Sequence, residues 1–461
     1  MECMTIGEIL SATGGQLLQG YEESIVTNIC TDSRIVNMGD LFIPIVGEKF
    51  DGHQYIEDSI RAGAASVIVS NKQKIKDKYV NIIEVENSKR AYLDIASWYR
   101  KKFVIPFVGV VGSVGKTSTK DMIACALGNV ERVLKTSGNF NNDIGVPKTI
   151  LSIDKSHDVA IIEMGMNHKG EISRLTNVVR PNYVVISNIG VSHIENLGSK
   201  VNILRAKLEV LEGMQPNGVV FINNDDDMLN GVIDKIDFEV VTYGIKRDAK
   251  YRAENISDKG EDGVEFDVKV DGVTYRVCVD AVGMHNVYNA LAAIAVSKKM
   301  GLDMSDIISG IKNFKPSKMR LKVEDRGGIK IINDSYNASP DSMRAAIDVL
   351  DNLSNNRRGI AVLGDMLELG DYAISEHANI GKYINDTNVS CVVAVGEKSR
   401  YIASELDDSK CVYSFDDKDK VIDFLDNYLK QGDVVLFKGS RGMHLEEIID
   451  GIDCFGLEES N

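Results

Sequence analysis

No apolar run in this 461-residue chain approaches the ~20 residues that span a bilayer, so a membrane-spanning helix is not expected. A basic excess is missing too. The formal net charge of −15 argues against a broad nucleic-acid or anionic-membrane face, and any phosphate must meet a local basic pocket. The seven cysteines (Cys3, Cys30, Cys125, Cys278, Cys391, Cys411 and Cys454) contain no C-x-x-C pair. Their odd number and scatter suit reduced thiols better than a disulfide framework or a zinc site. The opening "MECMTIGEIL" shows no basic region followed by an apolar stretch, so no signal peptide is expected. Neither a low-complexity segment nor a repeat of about 20–50 residues occurs. A cytoplasmic protein, monomeric and free of nucleic acid, is the expectation.

With 44% apolar and 26% charged residues, what remains is ordinary globular material. At ~150 residues per domain it suffices for about three cores. The runs "LFIPIV" (41–46), "SVIVS" (66–70) and "NIIEV" (81–85) read as strands, and "YIEDSIRAGAA" between the first two as a helix. A further helix, "RAYLDIASWYRKK" (90–102), leads into the buried strand "FVIPFVGVVG". From there strand and helix alternate: "VAIIEMG" (159–165), "YVVISNIG" (183–190), "VVFINN" (219–224) and "FEVVTYG" (238–244). "GVEFDVKVDGVTYRVCV" (263–279) departs from this as two alternating runs joined by Asp271-Gly272, a hairpin signal. The helix "HNVYNALAAIAVSKKMG" (285–301) follows, and beyond "FKPSKMR" (314–320) the alternation resumes with "IKIIND", "GIAVLGD", "CVVAVG" and "DVVLFKG". The expectation is an α/β protein of three domains, 1–103, 104–314 and 315–461. The central domain would be a mostly parallel sheet flanked by helices with a small antiparallel addition, and the last a Rossmann-like α/β domain.

"GVVGSVGKTSTKD" (109–121) is the first stretch that carries chemistry. It resembles a phosphate-binding loop, yet Val110 stands where the strict G-x-x-x-x-G-K-[ST] pattern has glycine. Strand, spacing and following helix all agree with such a loop. Backbone N–H groups over Gly112, Ser113, Val114 and Gly115 would wrap phosphate oxygens, helped by the helix N-terminus at Lys116, Thr117 and Ser118. Lys116 would reach the terminal phosphates and Thr117 would offer its hydroxyl to Mg²⁺. The bland alternative is a tight strand–helix turn. Glu163 and His193 fall at carboxyl ends of expected parallel strands, where open α/β sheets collect ligands. Taken alone, His193 reads more readily as a satisfied structural histidine; beside Glu163 and the loop, the functional reading is preferred. Lys207, in "ILRAKLEVLEGM" with Glu209 and Glu212, reads from spacing as part of a solvated helix face.

Together these residues resemble the Mur ligase family, ATP-dependent amide-forming enzymes whose own loop form, G-[TS]-x-G-K-[TS], also lacks the first glycine. The resemblance runs over the whole chain. "TDSR" (31–34) and "GDLFIPIVGEKFDGHQYI" (39–56) are similar to the family's UDP-sugar-binding part. "TSGNFNNDIGVP" (136–147), "EMGMNHKGEI" (163–172), "GMHNVYNALAA" (283–293), "INDSYNASPDSM" (332–343), "VLGDMLELG" (362–370) and "FKGSRGMHLEEII" (437–449) resemble the branch that adds a dipeptide. The activity so implied joins D-alanyl-D-alanine to UDP-N-acetylmuramoyl-tripeptide through an acyl phosphate, giving the pentapeptide, ADP and phosphate.

The resemblance also implies roles. Lys116, Glu163, His193, Lys207 and Arg320 would be catalytic, with Thr117, Glu163, His193 and a CO₂-carbamylated Lys207 around two Mg²⁺. Asn286 and Asn289 would lie on the adenine side, Arg320 at a phosphate and Asp334 at the ribose. Ser33 and Arg34 would lie near the uridine diphosphate, Asn139 and Asn142 along the passage between substrates, and Lys438 and Arg441 near a carboxylate. Asn333 departs from the branch, which often carries aspartate there; Asp334 remains. A sister ligase adding the third peptide residue, or a folylpolyglutamate synthase, is the near alternative, although the "DNPR" of diaminopimelate-adding enzymes is missing. A P-loop kinase or GTPase-like switch would leave the first hundred residues unexplained, and a noncatalytic scaffold is hard to square with Lys116, Thr117, Glu163 and His193 all being present.

Overall fold

The first strands build a sheet in the order Gln16–Gln19, Asn81–Glu84, Ser66–Val69, Leu41–Phe42, Ile29–Cys30. The Gln16–Gln19 edge is antiparallel and the other pairings are parallel. This computed structural model describes residues 1–47, 50–70, 75–355 and 357–453; Glu48, Lys49 and Cys454 lie outside the described residues. The chain divides into two compact units. One comprises Met1–Val111, Glu131–Val184 and Leu208–Val219; the other comprises Gly112–Val130, Val185–Lys207 and Val220–Asn461.

Within the first unit the expected strand at 41–46 contracts to Leu41–Phe42. Pro44 has no N–H to give a ladder, and the Ile45 carbonyl accepts instead from Gly52 N–H at 3.0 Å. Phe42, Ile56, Val67 and Val69 fill the core between this sheet and the helix Ile56–Ala62. The helix Ser88–Arg100 then carries the chain to the strand Phe107–Val111, whose five residues are all buried. Arg100 joins the two: its guanidinium stacks on the Phe107 ring at 3.4 Å and donates to the Val179 and Phe103 carbonyls, each at 2.8 Å. Phe107–Val111 pairs in parallel with Val159–Glu163, which pairs in parallel with Val133–Lys135. In this register Glu163 lies level with Val110, so the last side chain of its strand stands at the carboxyl end of the pair.

In the second unit Lys116–Leu127 and His285–Lys299 are helices. The Asp271-Gly272 signal produces the expected hairpin, Val264–Val270 against Val273–Val279. Asp271 at φ 50° and Gly272 at φ 83° are the left-handed pair that a two-residue turn of this twist requires. Val264, Phe266, Val268 and Val270 bury one face of the hairpin. Tyr251–Asp258 adds a further antiparallel strand that no clean alternation announces, because a register shift between Glu254 and Ser257 interrupts it.

The last sheet has the order Lys322–Arg326, Ile329–Asp334, Val434–Lys438, Gly359–Gly364, Cys391–Val395, Cys411–Phe415. Its first pair is antiparallel and the rest are parallel. The four central strands are β-branched and buried, as their sequence demands. Both edges are poorly buried: "KVEDR" is charged and part-exposed, and "CVYSF", although largely apolar, is exposed along four of its five residues.

Candidate active site

The glycine loop is shaped by contacts that only glycine permits. A Cβ on Gly112 would fall on the Ser187 hydroxyl, and Gly115 sits at φ 78° as the helix Lys116–Leu127 begins. The segment after the strand Tyr183–Ile186 holds the loop from outside. Asn188 Oδ1 accepts from the N–H groups of Ser113 and Val114, each at 3.0 Å. Ser187 Oγ donates to the Val114 carbonyl at 2.7 Å, and Gly190 N–H donates to Ser113 Oγ at 2.9 Å. The sequence reading did not single out Ser187 and Asn188. Their only signal was a polar pair ending an apolar strand.

Two lysines converge on one carbonyl of the loop. Lys116 Nζ donates to Gly112 O at 3.0 Å and Lys207 Nζ donates to the same oxygen at 2.9 Å. Lys207 is only 2% exposed, which excludes the solvated-face reading that its spacing suggests. Burial first, and the Lys116 cation second, push its ammonium well below the ordinary lysine range. Lys207 is thus biased towards the neutral amine, the form that reacts with CO₂. Thr117 is buried in the first turn of the loop helix.

His193 takes the left-handed conformation, φ 62°, ahead of the short helix Ile194–Leu197, and its ring is 18% exposed. Its Nδ1 lies 2.6 Å from Glu368 Oε2. The contact is off the N–H axis, so it is a close approach without a hydrogen bond. His193, and more weakly Lys116, hold the Glu368 carboxyl below its usual range against the opposing effect of burial. Glu163, in the first unit, is buried at its strand end; its N–H donates to Thr136 Oγ1 at 3.0 Å and its Oε1 accepts from Asn141 Nδ2 at 2.8 Å. Asn141, between the expected Asn139 and Asn142, is therefore the residue that orients Glu163. Asn142 Oδ1 accepts from Ile144 and Gly145 N–H and so starts the helix Gly145–Leu151, while Asn139 is exposed.

Asn286 and Asn289 are buried and joined, Asn289 Nδ2 donating to Asn286 Oδ1 at 3.0 Å. Asn289 Oδ1 accepts from Thr119 of the loop helix at 2.9 Å, and Asn286 Nδ2 donates to the Val282 carbonyl at 2.8 Å. The pair thereby ties the helix His285–Lys299 to the loop helix. Asp334, Lys438 and the backbone beside Arg320 form another cluster. Asp334 Oδ1 accepts from Leu321 N–H at 3.1 Å, and Asp334 Oδ2 accepts from Lys438 Nζ at 2.5 Å. Lys438 also donates to the Asn337 carbonyl at 3.0 Å and is 1% exposed, so its ammonium is committed to Asp334. The guanidinium of Arg320 stacks on Tyr336 at 4.1 Å between Met319 and Leu321, both at positive φ. His285, unmarked by the sequence reading, lies near Asp334 and Lys438; burial outweighs the pull of Asp334 and pushes its ring down to about 4. Arg441 is half-exposed and pairs with Glu446. Ser33 and Arg34 begin a short turn in the first unit, and Arg34 is 85% exposed while forking onto Asp32.

Among the described residues, no three His, Cys, Asp or Glu side chains gather as a metal cage. A cation here would need hydroxyl, carbamate or phosphate oxygens as well. Nor is any described helix long and apolar enough to cross a membrane.

Three family models match in succession: the Mur ligase family catalytic domain over residues 25–101, the Mur ligase middle domain over 110–297, and the Mur ligase glutamate ligase domain over 319–441. The chain is 37% identical over 433 residues to the UDP-N-acetylmuramoyl-tripeptide–D-alanyl-D-alanine ligase of Bacillus subtilis, covering 93% of each. Among solved structures it is similar to MurF from Acinetobacter baumannii, with TM-score 0.91, 29% identity and 99% of each chain covered. It is also similar to the MurF ligase from Thermotoga maritima in complex with ADP, with TM-score 0.81, 27% identity, and 92% of this chain and 96% of that one covered. The chain belongs to the Mur ligase family of ATP-dependent ligases, within its MurF branch.

Proposed function

We propose that this chain, as a cytoplasmic monomer, joins D-alanyl-D-alanine to UDP-N-acetylmuramoyl-tripeptide at the expense of ATP. The supporting observation is the convergence of Lys116 and Lys207 on Gly112 O inside a glycine loop, in a chain so similar to ligases of that name. The division 1–103, 104–314, 315–461 belongs to the same proposal, with the UDP-substrate, ATP and ligase parts in that order. It is supported by family matches that fall one within each part.

The chemistry accounts for the residue types. A carboxylate resists amine attack until it is activated. The tripeptide's terminal carboxylate attacks the γ-phosphorus of ATP, the P–O bond to ADP breaks, and an acyl phosphate forms. The amine of D-alanyl-D-alanine then adds to the acyl carbon, loses a proton, and the resulting tetrahedral species expels phosphate. Two anions must approach in the first step, so Lys116 and Arg320 serve to offset their charge. The loop N–H groups orient the phosphates, Asn286 and Asn289 the adenine side and Asp334 the ribose. Lys438 holds Asp334 in place. Ser33 and Arg34 act on the uridine diphosphate, Asn139 and Asn142 along the route between substrates, and Arg441 on a carboxylate.

Mg²⁺, which the family implies, fits these side chains: a hydroxyl, a carboxylate and an imidazole whose buried Nδ1 has no aligned partner. Thr117, Glu163, His193 and carbamylated Lys207 would hold two such ions, which supply positive charge opposite phosphate and carboxylate oxygens. Carbamylation forms an N–C bond from the neutral Lys207 amine to CO₂ with loss of one proton. It turns a neutral amine into an anion beside Lys116.

Phosphate release from ATP and UDP-N-acetylmuramoyl-tripeptide, measured with and without D-alanyl-D-alanine, tests the reading. Release is expected only with both substrates. Strong turnover with single amino acids and none with the dipeptide would assign the chain to a sister ligase.

A further inference from the structure

Three helices of the first unit, Ser88–Arg100, Gly145–Leu151 and Glu171–Val179, pack on one another, and their starts meet at Asp143. Lys89 Nζ lies 2.9 Å from Asp143 Oδ2, and Arg174 Nη2 donates to the same oxygen at 3.2 Å. Asp143 is buried, and its Oδ1 has no hydrogen-bond partner among the described residues. The two cations are about half-exposed, at 43% for Lys89 and 49% for Arg174. The other acids at the start of Glu171–Val179 are committed to backbone. Glu171 accepts from Asn167 and His168 N–H, and Glu209 from Gly170 and Ser173 N–H. Two outer cations therefore share one inner acid.

An ordinary surface ion pair sets one charge against one charge. Here two like charges are drawn onto a single oxygen, where they repel each other until a further anion joins them. The positive N-terminal ends of the two longer helices add to the same field. Arg174 uses two of its N–H donors, on Asp143 and on the Gly170 carbonyl at 3.3 Å, and a guanidinium has five. Asp143 also follows Asn142 directly, and Asn141 Nδ2 holds Glu163 Oε1 at 2.8 Å. The cluster is thus next in sequence to the stretch that leads to Glu163. We propose that Lys89 and Arg174, braced by Asp143, form a carboxylate subsite for the peptide of the substrate, taking a free carboxylate other than the one phosphorylated. The inference rests on the proposed ligase reading and adds recognition of a second acidic group in that peptide. A single carboxylate would complete two cations with two anions, whereas a more highly charged diphosphate would be opposed by Asp143.

The test uses the full chain and follows phosphate release at saturating ATP and D-alanyl-D-alanine. Two substrates are compared: UDP-N-acetylmuramoyl-tripeptide, and its analogue with every free carboxylate except the reacting one converted to the amide. Wild type should show a KM about 10–100-fold lower for the carboxylate form, because the amide gives up charge-assisted bonds to two cations. Lys89→Met and Arg174→Met keep the apolar stems and remove the charges. Each should raise KM for the carboxylate form about tenfold, and together they should erase the difference between the two substrates. Arg174→Lys, which retains a charge in poorer geometry, should fall between wild type and Arg174→Met even if the Met variant folds badly. Wild type that takes both substrates equally would overturn the subsite and leave the ligase reading intact. Variants that weaken both forms by one factor would reduce the cluster to a tie between helices. Binding of UDP alone, read by calorimetry, should not change in the variants; an equal loss there would put the diphosphate on these cations instead. No turnover of either form by wild type would end the ligase reading and this inference with it.

Discussion

Lys207 shows how far one side chain's meaning depends on what surrounds it. Spacing places it on a helix near Glu209 and Glu212, which suggests an exposed charged face. In the fold its ammonium is buried against Gly112 O, while Glu209 accepts from Gly170 N–H at 2.9 Å and from Ser173 N–H at 3.2 Å. An amine so depressed, next to a second cation, is suited to become a carbamate. Lys207→Ala is expected to abolish ligation, by more than about a thousandfold in kcat, as losing a preorganised charge at a phosphoryl centre can. Short carboxylic acids should restore part of the rate by replacing the carbamate, whereas Lys207→Arg should not respond to them. Undiminished turnover in the Ala variant would end the argument for a second metal.

The segment Ser187–Ser192 acts as a brace for the glycine loop, with Asn188 at its centre. Removing that acceptor in Asn188→Ala leaves two loop N–H groups without it, at about 1 kcal/mol each. We expect KM for ATP to rise about tenfold with a smaller change in kcat. Steady-state kinetics against ATP at saturating tripeptide check this, and a fall confined to kcat would contradict it.

Asp225 has a comparable bracing role. Burial alone would raise its carboxyl, but N–H groups of Lys246, Ile245 and Arg247 and the Tyr288 hydroxyl outweigh this and lower it. A depressed carboxyl contributes stability above its unfolded value and loses it as pH falls through the folded one. Asp225→Asn should therefore melt below wild type at neutral pH, and the gap should narrow below about pH 4. A gap unchanged with pH would show that the charge is not what stabilises this turn. In the hairpin, Gly272 stands at φ 83°, where a side chain costs about 1 kcal/mol, so Gly272→Ala should lower the melting temperature by a few degrees.

For the molecule as a whole, nucleotide binding and stability are linked. ADP with Mg²⁺ at about 100 times its Kd should stabilise the chain by ~2.7 kcal/mol, read as a rise in melting temperature. Lys116→Ala should lose most of that rise, since the Gly112 and Ser113 carbonyls hold its ammonium over the loop. A rise equal to wild type would remove Lys116 from the phosphate site.

Much of the α/β plan and the strand–loop–helix were legible in the residues. Both depend on local rules: period-two and β-branched runs, glycine turns, and the spacing of Gly-Lys-Thr after a buried strand. The hairpin at Asp271-Gly272 was legible for the same reason. Glu163 and His193 could be marked because strand ends are positions as well as residues. Asn141, Asn188, His285 and Glu368 could not, since a single polar residue has no period and its partner lies far along the chain. Which lysine would be stripped of water, and that Lys438 would serve Asp334, depended on burial and on contacts between distant segments. Those energies exist only once the chain has packed, so the tertiary structure alone decided them.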